Sequence, residues 1–456
     1  MNNKKSVLIL AIQIGLVASV ASAVSAFGAG MLPIPLTLDD AIKYAVESRS
    51  EMRIEQTKIQ GMEAKVAQAK GAFLPSLDFL MTSERVLNYD QFSGVVVNGT
   101  VLGQPINVSV SQTVPTYIQL PTLELEYNLY SGGRDMARLE QAYVNLEGAI
   151  ASQSIQMRKI AKNVVNTYWG FREAQISYRG ALRAAHVAEI AIQIAKVRLM
   201  QGKLSELDYK GEEVNVAEKR IESEEAARKL SDRFYAYLDA VGLSSEESTY
   251  DPSQVAALRT DPEHTVAFLE QISAQHPEVQ KATVEVEAAQ KEIKAAQAEN
   301  YPKLTFFSQY SWVGRDDMSW SNSMDGLHRQ AFYVGLRLKA NLFDGFKTTN
   351  KIAEARSEEN RAMIELDRTR LSLRQAKRKN ILRLQKAEDD LKLAEERLAL
   401  GQMKREIAKA KMQTGRESEL AFEQMQLEAQ NLQDKLLMAK IEVALAKTDL
   451  VLAVLD

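Results

Sequence analysis

The sequence predicts a mainly α-helical protein with a β-barrel sector, built from two copies of one structural unit. Residues 128–134 (NLYSGGR) recur as 341–347 (NLFDGFK), and at the same offset 202–207 (GKLSEL) recur as 415–420 (GRESEL). Segments that alternate apolar and polar residues, and long charged segments with few glycines and prolines, occur in both copies. Such a duplication predicts two similar units side by side rather than one asymmetric active site.

The composition favours long continuous helices and excludes several classes of site. The 456 residues include 26% charged residues, 22 glycines and only 10 prolines. Cysteine is absent, which excludes disulfides, thiol catalysis and an N-terminal lipidated cysteine. The four histidines are scattered, and no nucleophile–base pair or phosphate-binding loop is present. We therefore expect no enzyme, no cofactor and no metal site.

The N-terminus has the pattern of an export signal. Two lysines precede an apolar run at residues 7–20, and small residues allow cleavage after Ala23 or Ala26. An uncleaved anchor is the alternative, but the run is short for a membrane span. Removing residues 1–26 takes away two lysines and changes the net charge from −3 to −5. This mild acidity gives no reason to expect nucleic acid as a partner.

Helix signals and prolines divide the mature chain. Thr37 caps a first helix that we expect to run unbroken until it stops near Pro75, and its second copy runs from Pro277 to Pro302. A segment with two Asp-Pro pairs separates the copies. The expected divisions are a signal peptide at 1–26, a first repeat at 37–243, a linker at 244–263 and a second repeat at 264–456.

Four segments alternate between apolar and polar residues, as a strand with one apolar and one wet face does. The expected strands cover residues 76–87, 116–130, 303–313 and 331–343, with connecting loops at about 87–115 and 314–330. The polar faces carry four charged residues, Glu124, Glu126, Arg337 and Lys339. Trp312 and Trp320 fit an aromatic girdle at a membrane interface.

Two long helices follow each strand pair, with turns near residues 202 and 415. Their apolar residues recur at heptad-like spacing with alanines between them, which is typical of coiled coils. Glycine in each turn allows the left-handed conformation that often ends a helix.

The alternating strands have the length of tilted transmembrane strands, and lipid cannot satisfy an open sheet edge. Four strands are too few for a barrel, since the smallest membrane barrels have about eight. Several copies must therefore each contribute a sector, with the charged faces toward a wet lumen. The alternative is a pair of buried hairpins that cap a soluble coiled coil.

In these features the chain resembles the outer membrane efflux protein family. The resemblance rests on the leader, the duplicated helix–Pro–strand–strand–helix–helix order, the Asn-Leu-(Tyr/Phe)-x-Gly motifs, Tyr168-Trp169 and the Gly-x-x-Ser-x-Leu turns. It implies a homotrimer in the outer membrane of a Gram-negative bacterium, with a 12-stranded barrel in outer membrane lipid and an α-helical tunnel across the periplasm. It also implies docking to a periplasmic adaptor (membrane fusion) protein and to an inner-membrane transporter of RND or ABC type.

The resemblance makes the two turns the expected functional site, at the end of the molecule farthest from the barrel. Adaptor docking is expected at Gln201, Gly202, Lys203, Thr414, Gly415 and Arg416. The acids near the turns, expected to form rings in a trimer, are Glu206, Asp208, Glu417, Glu419 and Glu423. These acids could equally complement helix dipoles. The family places aspartates beyond the second glycine, where this chain has Ala421 and Gln424.

The function implied is a passive exit duct of a tripartite efflux or type I secretion system. A periplasmic coiled-coil adaptor or scaffold without a barrel is the alternative. A general uptake porin would leave the long helices without a role.

Overall fold

A computed structural model describes residues 38–86, 95–101, 104–110, 116–243, 276–316 and 318–453. The expected signal peptide and the linker at 244–263 lie outside the described residues. The helices are α1 (Leu38–Ser48), α2 (Ser50–Gly71), α3 (Arg134–Met200), α4 (Glu206–Val241), α5 (Pro277–Gln297), α6 (Trp320–Asp325), α7 (Lys347–Gln413) and α8 (Glu419–Ala453). The strands are β1 (Ser76–Arg85), β2 (Val95–Val101), β3 (Gln104–Val110), β4 (Tyr117–Tyr130), β5 (Lys303–Asp316) and β6 (Arg329–Lys339).

Four strands form one antiparallel sheet in the order β1-β4-β5-β6. Asp78 lies opposite Glu124, Glu124 opposite Gln309, and Gln309 opposite Tyr333, so one row crosses all four strands. The two repeats thus meet at the pairing of β4 with β5. In the part of the chain that is described, β1 pairs only with β4 and β6 only with β5, so both are edge strands.

Both connecting loops expected from the sequence contain regular structure, so these expectations were wrong. Within residues 87–115, β2 and β3 form a separate two-stranded hairpin. The β-branched valines of β2 and β3 favour this pairing. In the second copy, β5 extends to Asp316, and α6 follows where a loop was expected. Ser319 starts α6, since its hydroxyl oxygen accepts a hydrogen bond from the Asn322 backbone N–H at 3.1 Å.

The first helix is also not the unbroken helix that we expected. It is interrupted at Arg49, whose backbone is extended at φ −68° and ψ 138°. The Arg49 guanidinium turns to Glu51 in the first turn of α2, with Nη2 2.8 Å from Oε1. This hydrogen bond is the main reason that the pKa of Glu51 falls to about 2. The contact stabilises the new helix start because an acid there complements the helix dipole.

The chain divides into two compact units that cut across the repeats. One comprises the described parts of residues 1–47, 163–265 and 396–441. Its core holds Ile42, Leu230 and Phe234, each at most 1% exposed. Phe171 packs on Phe234 with ring centroids 5.3 Å apart, and Tyr168 meets Trp169 edge to face at 5.1 Å. Aromatic pairs of this geometry add specificity to the apolar burial.

The other unit comprises the described parts of residues 48–162, 266–395 and 442–456, and it contains the four-stranded sheet. Between its helices, Ala387 of α7 packs with Val443 and Ala446 of α8. Such small side chains let helix backbones approach closely.

The turns that leave β4 and β6 have the same backbone in both copies. Gly132 and Gly133 have φ of 70° and 86°, and the equivalent Gly345 and Phe346 have φ of 68° and 65°. Ser131 Oγ accepts from the Asp135 backbone N–H, and Asp344 Oδ2 accepts from that of Thr348. The repeated sequence motif is thus a helix-starting turn.

Candidate functional site

The candidate site has two parts, each within one of the compact units. The first is the polar face of the four-stranded sheet. Pairing puts Glu124 and Glu126 on the same face as Arg337 and Lys339, as the alternation predicted. Their assignment to a channel lumen stays a prediction.

Three residues from three strands form a contact row on this face. Glu126 of β4 lies opposite Phe307 of β5, and Phe307 lies opposite Gly335 of β6. Arg337 crosses the Phe307 ring, with Cζ 4.7 Å from the centroid, and its Nη1 is 3.0 Å from Glu126 Oε1. Phe307 can lie flat over Gly335 because glycine has no Cβ; a Cβ there would sit only 3.0 Å from the ring. The Phe307 ring thus supports the Arg337 guanidinium, which contacts the Glu126 carboxylate on the neighbouring strand.

The opposite face of the sheet is apolar and exposed in the single chain. The side chains of Leu77, Phe79, Phe332, Val334, Leu336 and Leu338 are each at least 60% exposed. Next to the strand ends, Leu342 is 95% exposed and Phe343 75%. A contiguous apolar surface of this kind marks contact with a membrane or with another protein.

The short helix α6 lies against one end of this apolar face. Its Trp320 Nε1 donates to Ser83 Oγ of β1 at 3.0 Å. A Cβ on Gly314 of β5 would be 1.9 Å from the Ser323 carbonyl oxygen, so only glycine allows this approach. The girdle position expected for Trp320 is therefore on a helix rather than in an open loop.

The second part of the candidate site is the pair of helix turns, which have matching geometry. Gly202 and Gly415 have φ of 68° and 70°. The Lys203 backbone N–H donates to the Arg198 carbonyl, and that of Arg416 donates to the Lys411 carbonyl, both at 2.9 Å. These six-residue closures are the Schellman arrangement, which glycine favours. Among the residues that the structure describes, no atom would lie within 4 Å of a Cβ on either glycine.

The helices that follow the turns start differently in the two copies. Ser205 Oγ accepts from the Asp208 N–H at 3.1 Å and donates to Asp208 Oδ2 at 2.6 Å, so Asp208 is part of a helix cap. In the second copy Ser418 Oγ accepts from the Ala421 N–H at 3.3 Å, and Ala421 has no carboxylate to accept a hydrogen bond from the Ser418 hydroxyl. This geometry supports the dipole interpretation of Asp208 without testing a ring of acids.

The other expected tip residues are distributed as follows. Glu206 and Glu419 are exposed, whereas Glu417 and Glu423 are half-buried. Glu417 Oε1 lies 3.6 Å from Lys411 Nζ, so one of these acids is balanced by a cation of its own chain. The turn residues Gln201, Gly202, Lys203, Thr414, Gly415 and Arg416 are all exposed and available to a partner.

An ion pair between α3 and α8 was missed at the sequence level. Arg183 Nη2 contacts Asp434 Oδ2, and both side chains are largely buried. Burial raises the pKa of the Asp434 carboxyl, and the nearby Arg183 and Arg179 oppose this shift. The two residues are 251 positions apart, and only the heptad position of each could have suggested their contact.

Membrane-spanning helices and metal-binding clusters are both absent from the described part of the chain. No helix there is both long and apolar enough to cross a membrane. Nor do three or more histidine, aspartate or glutamate side chains gather there in a way that could hold a metal ion.

Comparisons with known proteins place this geometry in context. Residues 268–454 match the sequence model of the family described as outer membrane efflux protein. The members of that family are transport channels and not enzymes. No curated protein matches the sequence.

Several solved structures share the fold at low sequence identity. The outer membrane protein VceC from Vibrio cholerae matches with a TM-score of 0.70 and 15% identity, over 91% of this chain and 95% of its own. The outer membrane channel CmeC from Campylobacter jejuni matches with a TM-score of 0.69 and 13% identity, over 91% and 85%. The outer membrane channel MtrE from Neisseria gonorrhoeae, solved in an open state, gives 0.66 and 13%, over 91% and 88%. The resemblance of this chain to the outer membrane efflux protein family is thereby confirmed, in sequence over residues 268–454 and in fold over 91% of its length.

Proposed function

We propose that this chain is one third of a passive exit duct in the outer membrane of a Gram-negative bacterium. Three copies close a barrel, and their long helices continue it as a tunnel across the periplasm. The duct serves a tripartite efflux or type I secretion system and performs no chemistry itself. Energy comes from an inner-membrane transporter of RND or ABC type, which a periplasmic adaptor couples to the duct.

The observation that carries the proposal is a sheet with an exposed apolar face, a charged face and two free edges. Lipid tolerates the apolar face but not the unpaired backbone of the edges. A closed barrel removes edges, and one four-stranded sheet is too small for it. Three such sheets give twelve strands, with Glu124 and Arg337 toward the lumen.

The helices support a duct rather than a simple pore. Both α3 and α7 are 67 residues long, about 100 Å at 1.5 Å per residue. A porin for uptake has no use for such lengths. The exposed turns at Gly202 and Gly415 offer six loops per trimer for adaptor docking.

The alternative is a periplasmic adaptor or scaffold in which the strands never enter lipid. That reading leaves Leu336, Leu338 and Leu342, each more than 60% exposed, without a partner. A soluble protein that exposed so large an apolar surface would aggregate.

Light scattering of protein extracted in detergent from the outer membrane fraction tests the proposal. We expect a protein mass close to three chains, each somewhat below 50.9 kDa after loss of the leader. Recovery as a soluble monomer or dimer, absent from the outer membrane fraction, would instead support the scaffold.

A further inference from the structure

Two lysines lie directly opposite each other at one end of the polar face. Lys303 is the first residue of β5 and Lys339 is the last residue of β6, and the register of the sheet pairs them. The Cβ atoms of directly opposed residues are about 4.5–5.5 Å apart, and like charges in this position are destabilising. Lys303 is half-buried and Lys339 is exposed. The fold therefore holds two cations close together at a cost in stability.

No acid in the described part of the chain makes an ion pair with either lysine. Glu299 and Asp135 lie near enough to act on Lys303 electrostatically, but each of them already pairs with another base. The pairs are Glu299 with Lys351 at 2.6 Å and Asp135 with Arg134 at 3.0 Å. Arg134 also acts on Lys303 and brings a further positive charge close to it. Four bases thus stand against two acids at this end of the sheet, which leaves a surplus of two positive charges.

The other acids of the polar face lie too far along the strands to neutralise this surplus. Glu126 is opposite Phe307, which is four residues from Lys303 and therefore about 13 Å away along β5. Its carboxylate is also held by Arg337. The next acids lie six residues from Lys303, about 20 Å along the strand, and they are Glu124 and Asp78. An anionic group that enters between the two lysines would relieve their repulsion.

We propose that Lys303 and Lys339 form an anion-binding site that takes a carboxylate or phosphate group of the cargo. The inference rests on the proposed function, in which the polar face lines the lumen. Both lysines lie at the end of the sheet from which α3 and α7 leave, so cargo that comes through the tunnel meets them before the rest of the barrel. Two ammonium groups on adjacent strands can donate to different oxygens of one anionic group. The site favours anionic over cationic cargo, and three copies supply three such sites.

Block of the channel by inorganic pyrophosphate tests the site in the full-length protein. Single channels are recorded in planar bilayers of a neutral lipid, with pyrophosphate added to each side in turn. We expect a voltage-dependent block, because the anion must enter the pore to reach the lysines. Lys303→Gln with Lys339→Gln should weaken the block on the order of tenfold, since two charge-assisted hydrogen bonds are lost. Lys303→Arg with Lys339→Arg keeps both charges and should retain the block.

The matched control is Arg315→Gln with Arg329→Gln. It removes two bases from the same face and the same two strands, at the other end of the sheet. Arg315 lies opposite Ile118 and Arg329 lies opposite Val313, so these two arginines are not a directly opposed pair. The control variant should be blocked by pyrophosphate as strongly as the wild type.

The outcomes separate the anion site from the proposed function. Channels that conduct but are not blocked by pyrophosphate overturn the site and leave the exit duct standing; an acid of a neighbouring copy seated between the lysines would give this result. An equal loss of block in the arginine control also overturns the site, because the block would then depend only on the total positive charge of the lumen. A monomeric mass in light scattering, without channel activity, overturns the duct and the anion site together.

Discussion

Glu126 and Arg337 are joined across a strand that separates them, with Oε1 3.0 Å from Nη1 and the Phe307 ring beneath the bridge. The link spans β4, β5 and β6, so it ties the last strand of the first repeat to the last strand of the second. Both side chains are more than 40% exposed. A pair with this exposure adds little to the stability of the fold. Its main effect is therefore expected on the electrostatic potential of the polar face.

Removing one charge from the polar face should change the ion selectivity of the channel. Arg337→Gln removes a cation and leaves the Glu126 carboxylate without its partner, so we expect a shift toward cation preference. Glu124→Gln should shift the preference the other way. Reversal potentials in planar bilayers under a salt gradient measure both. Leu336→Val, on the opposite face, is the control, and equal reversal potentials in all variants would contradict a lumen position.

The two left-handed turn glycines should be needed for transport but not for assembly. Gly202→Val and Gly415→Val meet no neighbouring atom, so their cost is the backbone strain, about 1–2 kcal/mol. We expect trimers in normal amount and loss of export, measured as substrate accumulation in cells. Gly345→Val carries the same left-handed strain at φ 68° in a different turn and should export normally. Loss of export in that variant too would assign the defect to strain instead of docking.

Neighbouring glycines after β4 should differ sharply in their tolerance of alanine. A Cβ on Gly132 would lie 2.6 Å from the Ala298 carbonyl oxygen and 2.9 Å from Tyr301 Cβ, whereas Gly133 has open space. Both changes add left-handed strain, and Gly132→Ala adds a clash of about 1–3 kcal/mol. The midpoint of thermal unfolding, followed by helical circular dichroism, should therefore fall further for Gly132→Ala. Equal midpoints would mean that the close approach to residues 298–301, just after α5, is absent.

Lowering the pH should stabilise the wild-type protein relative to its Asp434→Asn variant. Burial raises the folded-state pKa of Asp434, so the folded protein binds the proton more readily than the unfolded chain does. The contribution of this group to stability rises as the pH falls through the raised pKa and levels off below its ordinary value of 3.8. The asparagine variant lacks this pH-dependent contribution to stability. Thermal unfolding, followed by helical circular dichroism from pH 7.5 to 4, should show the unfolding temperature of the wild type rising relative to that of the variant. The opposite trend would mean that Arg183 lowers the pKa of Asp434 by more than burial raises it.

Local signals in the sequence predicted the strands and turns but not the contacts between distant segments. The turns at Gly202 and Gly415 share the pattern Gly-x-x-Ser-Glu-Leu and fold with the same backbone hydrogen bonds. The alternation in β4 and β6 assigned the correct face to Glu126 and Arg337. Their contact across Phe307 required the pairing register, which the sequence of either strand does not contain.

Two errors have physical causes that are visible afterwards. The sequence predicts a loop around α6 because six residues are too few for a helical period to show. Its position depends on Gly314, which admits the Ser323 carbonyl and which reads as an ordinary glycine in the sequence. The break at Arg49 depends on the side-chain contact with Glu51, whereas the residues around it have ordinary helix propensities.

The turns at Gly202 and Gly415 have the same backbone conformation but expose different side chains. Leu207 is 81% exposed, while Leu420 at the equivalent position is half-buried; Asp208 is replaced by Ala421. In a threefold assembly the six loops then form two alternating classes, three of each. A ring of six identical binding modules could not make six equivalent contacts with such a rim. Any partner that covers all six loops must itself distinguish odd from even positions, by using two conformations or two surfaces.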